Sequence, residues 1–196
     1  LEIPGITYRH INFNGRAYAN TLLAKLTWWQ YISVIALMAT GYRLDAVRII
    51  GENVMRSKGL VGLGCDSVDA CTAEVREFFD VISRVEEEGP VLVHCTQGKD
   101  RTGLTVLLTL LLLGVPLEAM ERDYMMSQEE LVPEREERVQ EIERIGLTPS
   151  FADCDSEFVR MVSEHVRAKY GGIGEYLSGV GVGKGVQEQI RGTFLA

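Results

Sequence analysis

The chain has 196 residues, 46% of them hydrophobic, which suits one domain of ordinary size with a real core. Its 28 acidic against 20 basic residues leave a formal net charge of -8, which excludes a globally basic face for nucleic acid and leaves only a local basic pocket open. Four irregularly spaced cysteines, Cys65, Cys71, Cys95 and Cys154, outline no disulfide framework and point to a reducing, cytoplasmic setting.

The chain opens Leu1-Glu2-Ile3-Pro4 without a methionine, as an excised piece or fragment would, and carries no signal-peptide pattern. Ile6 to Phe13 is a short strand candidate ended by the Asn14-Gly15 turn. Leu22 to Ala39 is apolar with helical length, and Gly41 can cap it. Trp28, Trp29 and Tyr31 lie here. They read first as aromatic packing against a sheet or helix, and otherwise as a substrate wall or a membrane-facing patch.

Leu44 to Met55 predicts another helix, with Asp45 in its first turn. Ser57 to Ser67, SKGLVGLGCDS, reads as a glycine-rich loop that lacks the spacing of a dinucleotide or triphosphate loop. Thr72 to Val85 predicts an amphipathic helix, because Val75, Phe78, Phe79 and Ile82 recur at helical spacing; Glu86 to Pro90 ends it. Val91-Leu92-Val93 then reads as the start of a central strand in an α/β domain.

After HCTQGKDRTG, Leu104 to Val115 is the most apolar stretch, and it is too short to span a bilayer, so it predicts a buried helix. Leu117 to Ser127 and Ser156 to Tyr170 also predict helices, the first followed by Glu129 and Glu130 flanking a turn. Glu134 to Ile145 alternates in charge and reads as a solvated amphipathic helix. Gly171-Gly172 is a break, Ile173 to Gly185 a glycine-interrupted apolar piece, and Val186 to Leu195 a closing helix. The expected architecture is a single α/β domain over 1–196, a central mostly parallel sheet flanked by helices, with 146–196 as its helical C-terminal part.

The chemistry concentrates in residues 94–103. A cysteine attacks as thiolate, and its ordinary pKa is about 8.5. Cys95 precedes a helix whose first-turn N–H groups lack internal partners, and Gly98 permits a turn that gathers several N–H groups inward. Such a nest favours a thiolate when empty and phosphate oxygens when occupied. Arg101 can bond two phosphate oxygens at once. The chemistry that follows is in-line attack by Cys95, charge stabilisation by Arg101 and the N–H groups of Thr96, Gln97, Gly98, Lys99, Asp100 and Arg101, and Thr102 as a donor to the departing thiolate. His94 supports the loop. A metal site is disfavoured, because His10, His94 and His165 show no ligand spacing. A purely structural buried cysteine leaves the polar residues beside it unexplained. No cofactor is expected.

His94, Cys95, Arg101 and Thr102 match the signature of the cysteine-based protein tyrosine phosphatase superfamily, and the whole string resembles its atypical bacterial and fungal branch with phosphoinositide activity. Tyr8-Arg9-His10-Ile11, Asp123-Tyr124-Met125-Met126-Ser127, Tyr170-Gly171-Gly172-Ile173 and Tyr176-Leu177 are similar to that branch more loosely. The resemblance implies phosphotyrosine and inositide phosphomonoesters as substrates, with inositol polyphosphate or pyrophosphate as a further class. It implies that Lys99 contacts a second phosphate. It also implies further segments ahead of the early strand, absent or shortened here, so that domain exchange or a partner chain would complete the sheet.

A general acid is needed for poor leaving groups. Phe13-Asn14-Gly15-Arg16 offers no carboxylate where the branch can carry one; Asp100 is the first candidate, Asp66 and Asp69 the others. Cys65 and Cys71 are candidates for a protective disulfide with Cys95, while Cys154 reads as inert. The alternative class is a phosphate-binding pseudophosphatase or scaffold. The expected partners are a phosphorylated protein or an inositide, with no nucleic acid and no stable membrane insertion; the oligomeric state is open.

Overall fold

Helices account for all the regular structure in the computed structural model, which describes residues 3–195. In chain order they are α1 (Arg16–Leu23), α2 (Trp28–Ala39), α3 (Arg43–Ile50), α4 (Arg56–Ala70), α5 (Thr72–Ile82), α6 (Val85–Glu88), α7 (Asp100–Leu113), α8 (Leu117–Glu130), α9 (Arg135–Arg144), α10 (Phe158–Tyr170), α11 (Ile173–Gly179) and α12 (Lys184–Leu195). A π-helical turn, Gly51–Met55, joins α3 to α4, and 3-10 turns occupy Val132–Glu134 and Pro149–Ala152.

The expected α/β fold with a mostly parallel sheet is therefore wrong for the described residues, which contain no strand. A strand exists only through the hydrogen bonds of a neighbour. Ile6 to Phe13 and Val91 to Val93 form no ladder, and Leu92 is 88% exposed where a central strand would bury it. Local β propensity was present in both segments, but the pairing was not.

The glycine-rich stretch 57–67 also departs from expectation. It is helical, within α4, with one break at Gly59, where φ is +62°. Gly64 serves close packing rather than looping. A Cβ on Gly64 would stand 2.6 Å from the Phe158 ring and 3.2 Å from Val162, both on α10. The long helix expected over 22–39 is instead split. Thr27 caps α2 by accepting from the Gln30 N–H, while the Gln30 side chain accepts from the Thr27 N–H, a capping box that starts a new helix.

The apolar α7 lies at the centre and packs against α4, α8, α10, α11 and α12. Leu104, Leu107, Leu108 and Leu112 are all nearly inaccessible. The helix stops at left-handed Gly114, with the Schellman bonds Gly114 N–H to Leu111 O at 3.1 Å and Val115 N–H to Leu110 O at 3.0 Å. The α5 face built from Val75, Phe78, Phe79 and Ile82 is buried as its spacing predicts. Each such side chain contributes about 1.5–3 kcal/mol by leaving water. Phe158, Val162, Tyr176 and Ile190 join the same core from α10, α11 and α12. The N-terminus of α7 thus emerges from the best-packed part of the molecule, and residues 94–99 lead directly into it.

Candidate active site

The loop before α7 curls around Cys95. Gly98 takes φ +71°, a conformation that turns the chain without a Cβ penalty. The Cys95 thiol is half-buried. Burial alone would push its pKa up. The nearby Thr102 hydroxyl and the N–H groups of Thr102, Gln97 and Gly98, as donors toward the sulfur, outweigh it and bring the thiol down to about 7. Thr102 Oγ1 is buried and meets no partner at hydrogen-bond geometry among the described residues, so its proton is uncommitted.

Arg101, one residue into α7, reaches back across the loop, and its Nη2 donates to Thr96 Oγ1 at 3.2 Å. That contact brings the guanidinium to the rim of the same loop. His94 is exposed, with Nδ1 3.2 Å from the Cys95 carbonyl oxygen. Gln97 forms part of the wall of a cleft of about 520 Å³ whose other side is α8, with Arg122, Met125, Met126 and Glu129. A further cleft of about 440 Å³, lined by Thr72, Arg76 and Asp80, lies on α5, away from the loop.

Lys99 takes a course the sequence did not suggest. It is fully buried, and its ammonium donates to the carbonyl oxygens of Phe151 at 2.9 Å and Asp153 at 2.8 Å. It points into the protein and not at a second phosphate. Asp100 stands beside it. Asp100 Oδ1 is inaccessible, 3.4 Å from Lys99 Nζ and without a hydrogen-bond partner, although nearly half of the side chain remains exposed. Burial raises the Asp100 carboxyl above its ordinary value, against the pull of Lys99 and Arg101.

The family model for the tyrosine phosphatase family matches residues 29–196. The chain belongs to the tyrosine phosphatase family. Among curated proteins, it is 26% identical over 136 residues to the triple specificity protein phosphatase PtpB of Mycobacterium tuberculosis, a match covering 61% of this chain and 49% of that protein. It is 43% identical over 53 residues to a tyrosine-protein phosphatase of Nostoc commune, covering 26% of this chain and 18% of that protein. The chain thus spans about half the length of the first relative and less of the second.

In phosphomonoester cleavage, a proton donor to the leaving group matters beside the nucleophile. Asp66 and Asp69 are both engaged elsewhere. Asp66 is buried between Lys25 Nζ at 2.6 Å and Lys58 Nζ at 2.7 Å. Asp69 accepts from Tyr170 Oη at 2.7 Å, lies 2.8 Å from His165 Nε2 and pairs with Lys169 at 2.7 Å. Burial would raise Asp69, but Lys169, Tyr170 and His165 together hold it below its ordinary value, as a carboxylate. Asp100 is the acid that adjoins the loop.

All four cysteines are free. Cys71 is buried, its Sγ–H donates to the Phe13 carbonyl at 3.2 Å, and burial with the nearby Glu74 pushes it up to about 12. Burial likewise raises Cys65, on α4, helped by Asp69 and Asp66. Neither has the thiolate character a ready disulfide partner for Cys95 would need. Cys154 is buried near Lys99 and Asp100, and it too is raised.

Sequence reasoning missed the support beneath the loop. Arg135 grips the Asp153 carboxylate through Nε at 2.7 Å and Nη2 at 2.8 Å, and Gln128 Nε2 donates to the same carboxylate at 3.3 Å. Tyr124 stacks on Phe158 with ring centroids 5.0 Å apart and closes against Gly103 of α7, where a Cβ would meet its ring at 2.9 Å. The quoted string Asp123 to Ser127 held the one local signal, an aromatic on the inner face of α8.

Proposed function

We propose that the chain is a cysteine-dependent phosphomonoesterase that works through a phosphocysteine intermediate, on phosphotyrosine and on inositide phosphates. What supports this reading is the loop itself: Cys95 stands half-buried ahead of α7, Gly98 turns the chain at φ +71°, the Arg101 guanidinium reaches back to Thr96, and the Cys95 thiol is depressed to about 7. A buried structural cysteine would be raised, as Cys71 and Cys154 are.

In the first step, Cys95 Sγ attacks phosphorus. The S–P bond forms as the ester P–O bond breaks, and the leaving oxygen takes a proton from Asp100. The loop N–H groups and Arg101 receive the charge on the three remaining oxygens. In the second step, the Asp100 carboxylate takes a proton from the attacking water, the new P–O bond forms as the S–P bond breaks, inorganic phosphate leaves, and the Thr102 hydroxyl stabilises the returning thiolate. Asp100 suits the acid role because burial favours its protonated form and its side chain, next to the loop in sequence, is partly exposed. The cleft beside Gln97 supports a substrate with an apolar body, since Met125, Met126 and Leu131 line it, with Arg122 offset by Glu129 and Glu130. The name of the PtpB relative, a triple specificity protein phosphatase, supports more than one substrate class for this chain as well.

Metal-free steady-state hydrolysis of a chromogenic aryl phosphate, run with reductant, tests the reading. Turnover by the native chain and none by Cys95→Ser is the expected result. Phosphate binding by folded protein without Cys95-dependent turnover would identify a phosphate-binding module instead.

A further inference from the structure

We infer, on the acid role proposed for Asp100, that Arg135 and Gln128 are positioning residues for that acid, acting through the turn at Asp153 and the buried Lys99 ammonium. A lysine without exposed surface must have its charge met inside the protein. The Lys99 ammonium has three protons to donate. Two go to the carbonyl oxygens of Phe151 and Asp153, at 2.9 and 2.8 Å, which leaves Asp100 Oδ1, 3.4 Å away, as its carboxylate neighbour. The place of the ammonium beside the acid is therefore set by the turn that supplies those carbonyls. That turn is held at both ends. Phe151 and Ala152 pack with Ile142 and Leu147 in a small buried cluster. Asp153 follows in extended conformation, and its carboxylate takes both prongs of Arg135, Nε at 2.7 Å and Nη2 at 2.8 Å, with Gln128 Nε2 at 3.3 Å. Gln128 Oε1 also accepts from the Cys154 N–H. Bidentate pairing fixes direction as well as distance. Arg135 starts α9 and Gln128 lies on α8, so the two join both helices to the turn that carries the Lys99 acceptors.

The other titratable groups that face Asp100 are the Tyr18 phenol from α1, the Tyr124 phenol from α8 and the Cys154 thiol from the turn. Burial raises all three, so they stay uncharged at neutral pH. Lys99 and Arg101 are the cations that draw the carboxyl toward ionisation, and Arg101 is turned to Thr96 at the rim of the loop. Lys99 is left as the fixed counter-charge. Its pull varies inversely with separation, so a retreat of about 1.5 Å would raise the Asp100 midpoint by about one pH unit. The Asp153 carboxylate faces Lys99 as well, and with Arg135 gone its uncompensated charge would act in the same direction. A clamp on Asp153 thus reaches the acid without touching it.

The experiment follows the Asp100 carboxyl by carbon-13 NMR through a pH titration of the whole chain, with Asp100→Asn to assign the signal. In Arg135→Ala the midpoint should rise by about one pH unit, and Gln128→Ala should move it the same way by less. The limb of the kcat/KM profile on an alkyl phosphate that Asp100→Asn abolishes should move with it. Arg135→Lys keeps the charge without the second prong and should recover part of the shift. The iodoacetamide midpoint of Cys95 should stay near 7 in every variant. Circular dichroism checks folding, and an Arg135→Ala chain that does not fold leaves Gln128→Ala and Arg135→Lys to decide. An Asp100 midpoint unmoved in all the folded variants would overturn the inference and leave the clamp a stabilising contact. A midpoint that moves while Asp100→Asn abolishes no limb would instead overturn the acid role and leave the chain of contacts standing.

Discussion

Lys99 Nζ lies 2.8 Å from the main-chain oxygen of Asp153, whose side chain is held by Arg135. The contact ties the loop before α7 to a turn more than fifty residues later and makes the loop lysine an internal tether. Lys99→Met would keep the buried stem but leave the carbonyls of Phe151 and Asp153 without a donor. The expected loss is on the order of 2–3 kcal/mol, or roughly 5–10 °C in Tm for a chain of this size. Hydrolysis of small aryl phosphates and of multiply phosphorylated inositides should fall together. A selective loss on inositides with unchanged Tm would restore a direct second-phosphate role.

The thiol of Cys95 should titrate early. Its rate of alkylation by iodoacetamide should rise with pH through a midpoint near 7, below the ordinary value of about 8.5. Thr102→Val removes the hydroxyl that favours the thiolate, so the midpoint should move up. The lost bond to a charged group is worth about 1.5–3 kcal/mol, roughly ten- to a hundredfold in kcat. An unmoved midpoint would separate Thr102 from the sulfur.

Asp100→Asn should distinguish acid catalysis from loop shaping. An alkyl leaving group needs the proton and an activated aryl oxide much less. The variant should therefore lose roughly a hundredfold on alkyl phosphates and far less on aryl phosphates. Equal loss on both would give Asp100 a structural role beside Lys99.

Much of this molecule was legible locally. The α5 face, the buried α7 and the residues of the loop follow from spacing and composition alone, because helices and a ten-residue motif are local objects. The sheet was misread because Val91-Leu92-Val93 has strand propensity, and propensity says nothing about whether a partner is present. The stretch 57–67 was misread because a glycine such as Gly64 looks the same in a loop and in a tight helix crossing. Only the Phe158 ring, far along the chain, distinguishes them. The Lys99 tether was hidden for the same reason, since its acceptors are main-chain atoms and leave no trace in side-chain identity.

The helix crossing itself is testable. Gly64→Ala places a methyl group where the Phe158 ring stands 2.6 Å away. Overpacking of that kind costs about 1–3 kcal/mol, which thermal unfolding would register. The catalytic constants of the folded fraction should be little changed, because α4 and α10 carry none of the loop residues.

The covalent intermediate is the centre of the account. Acid-quenched samples taken during turnover of an aryl phosphate, digested and read by mass spectrometry, should carry phosphate on Cys95, with more in Thr102→Val, where its hydrolysis is slowed. Turnover with no phosphate on Cys95, or turnover surviving in Cys95→Ser, would contradict it.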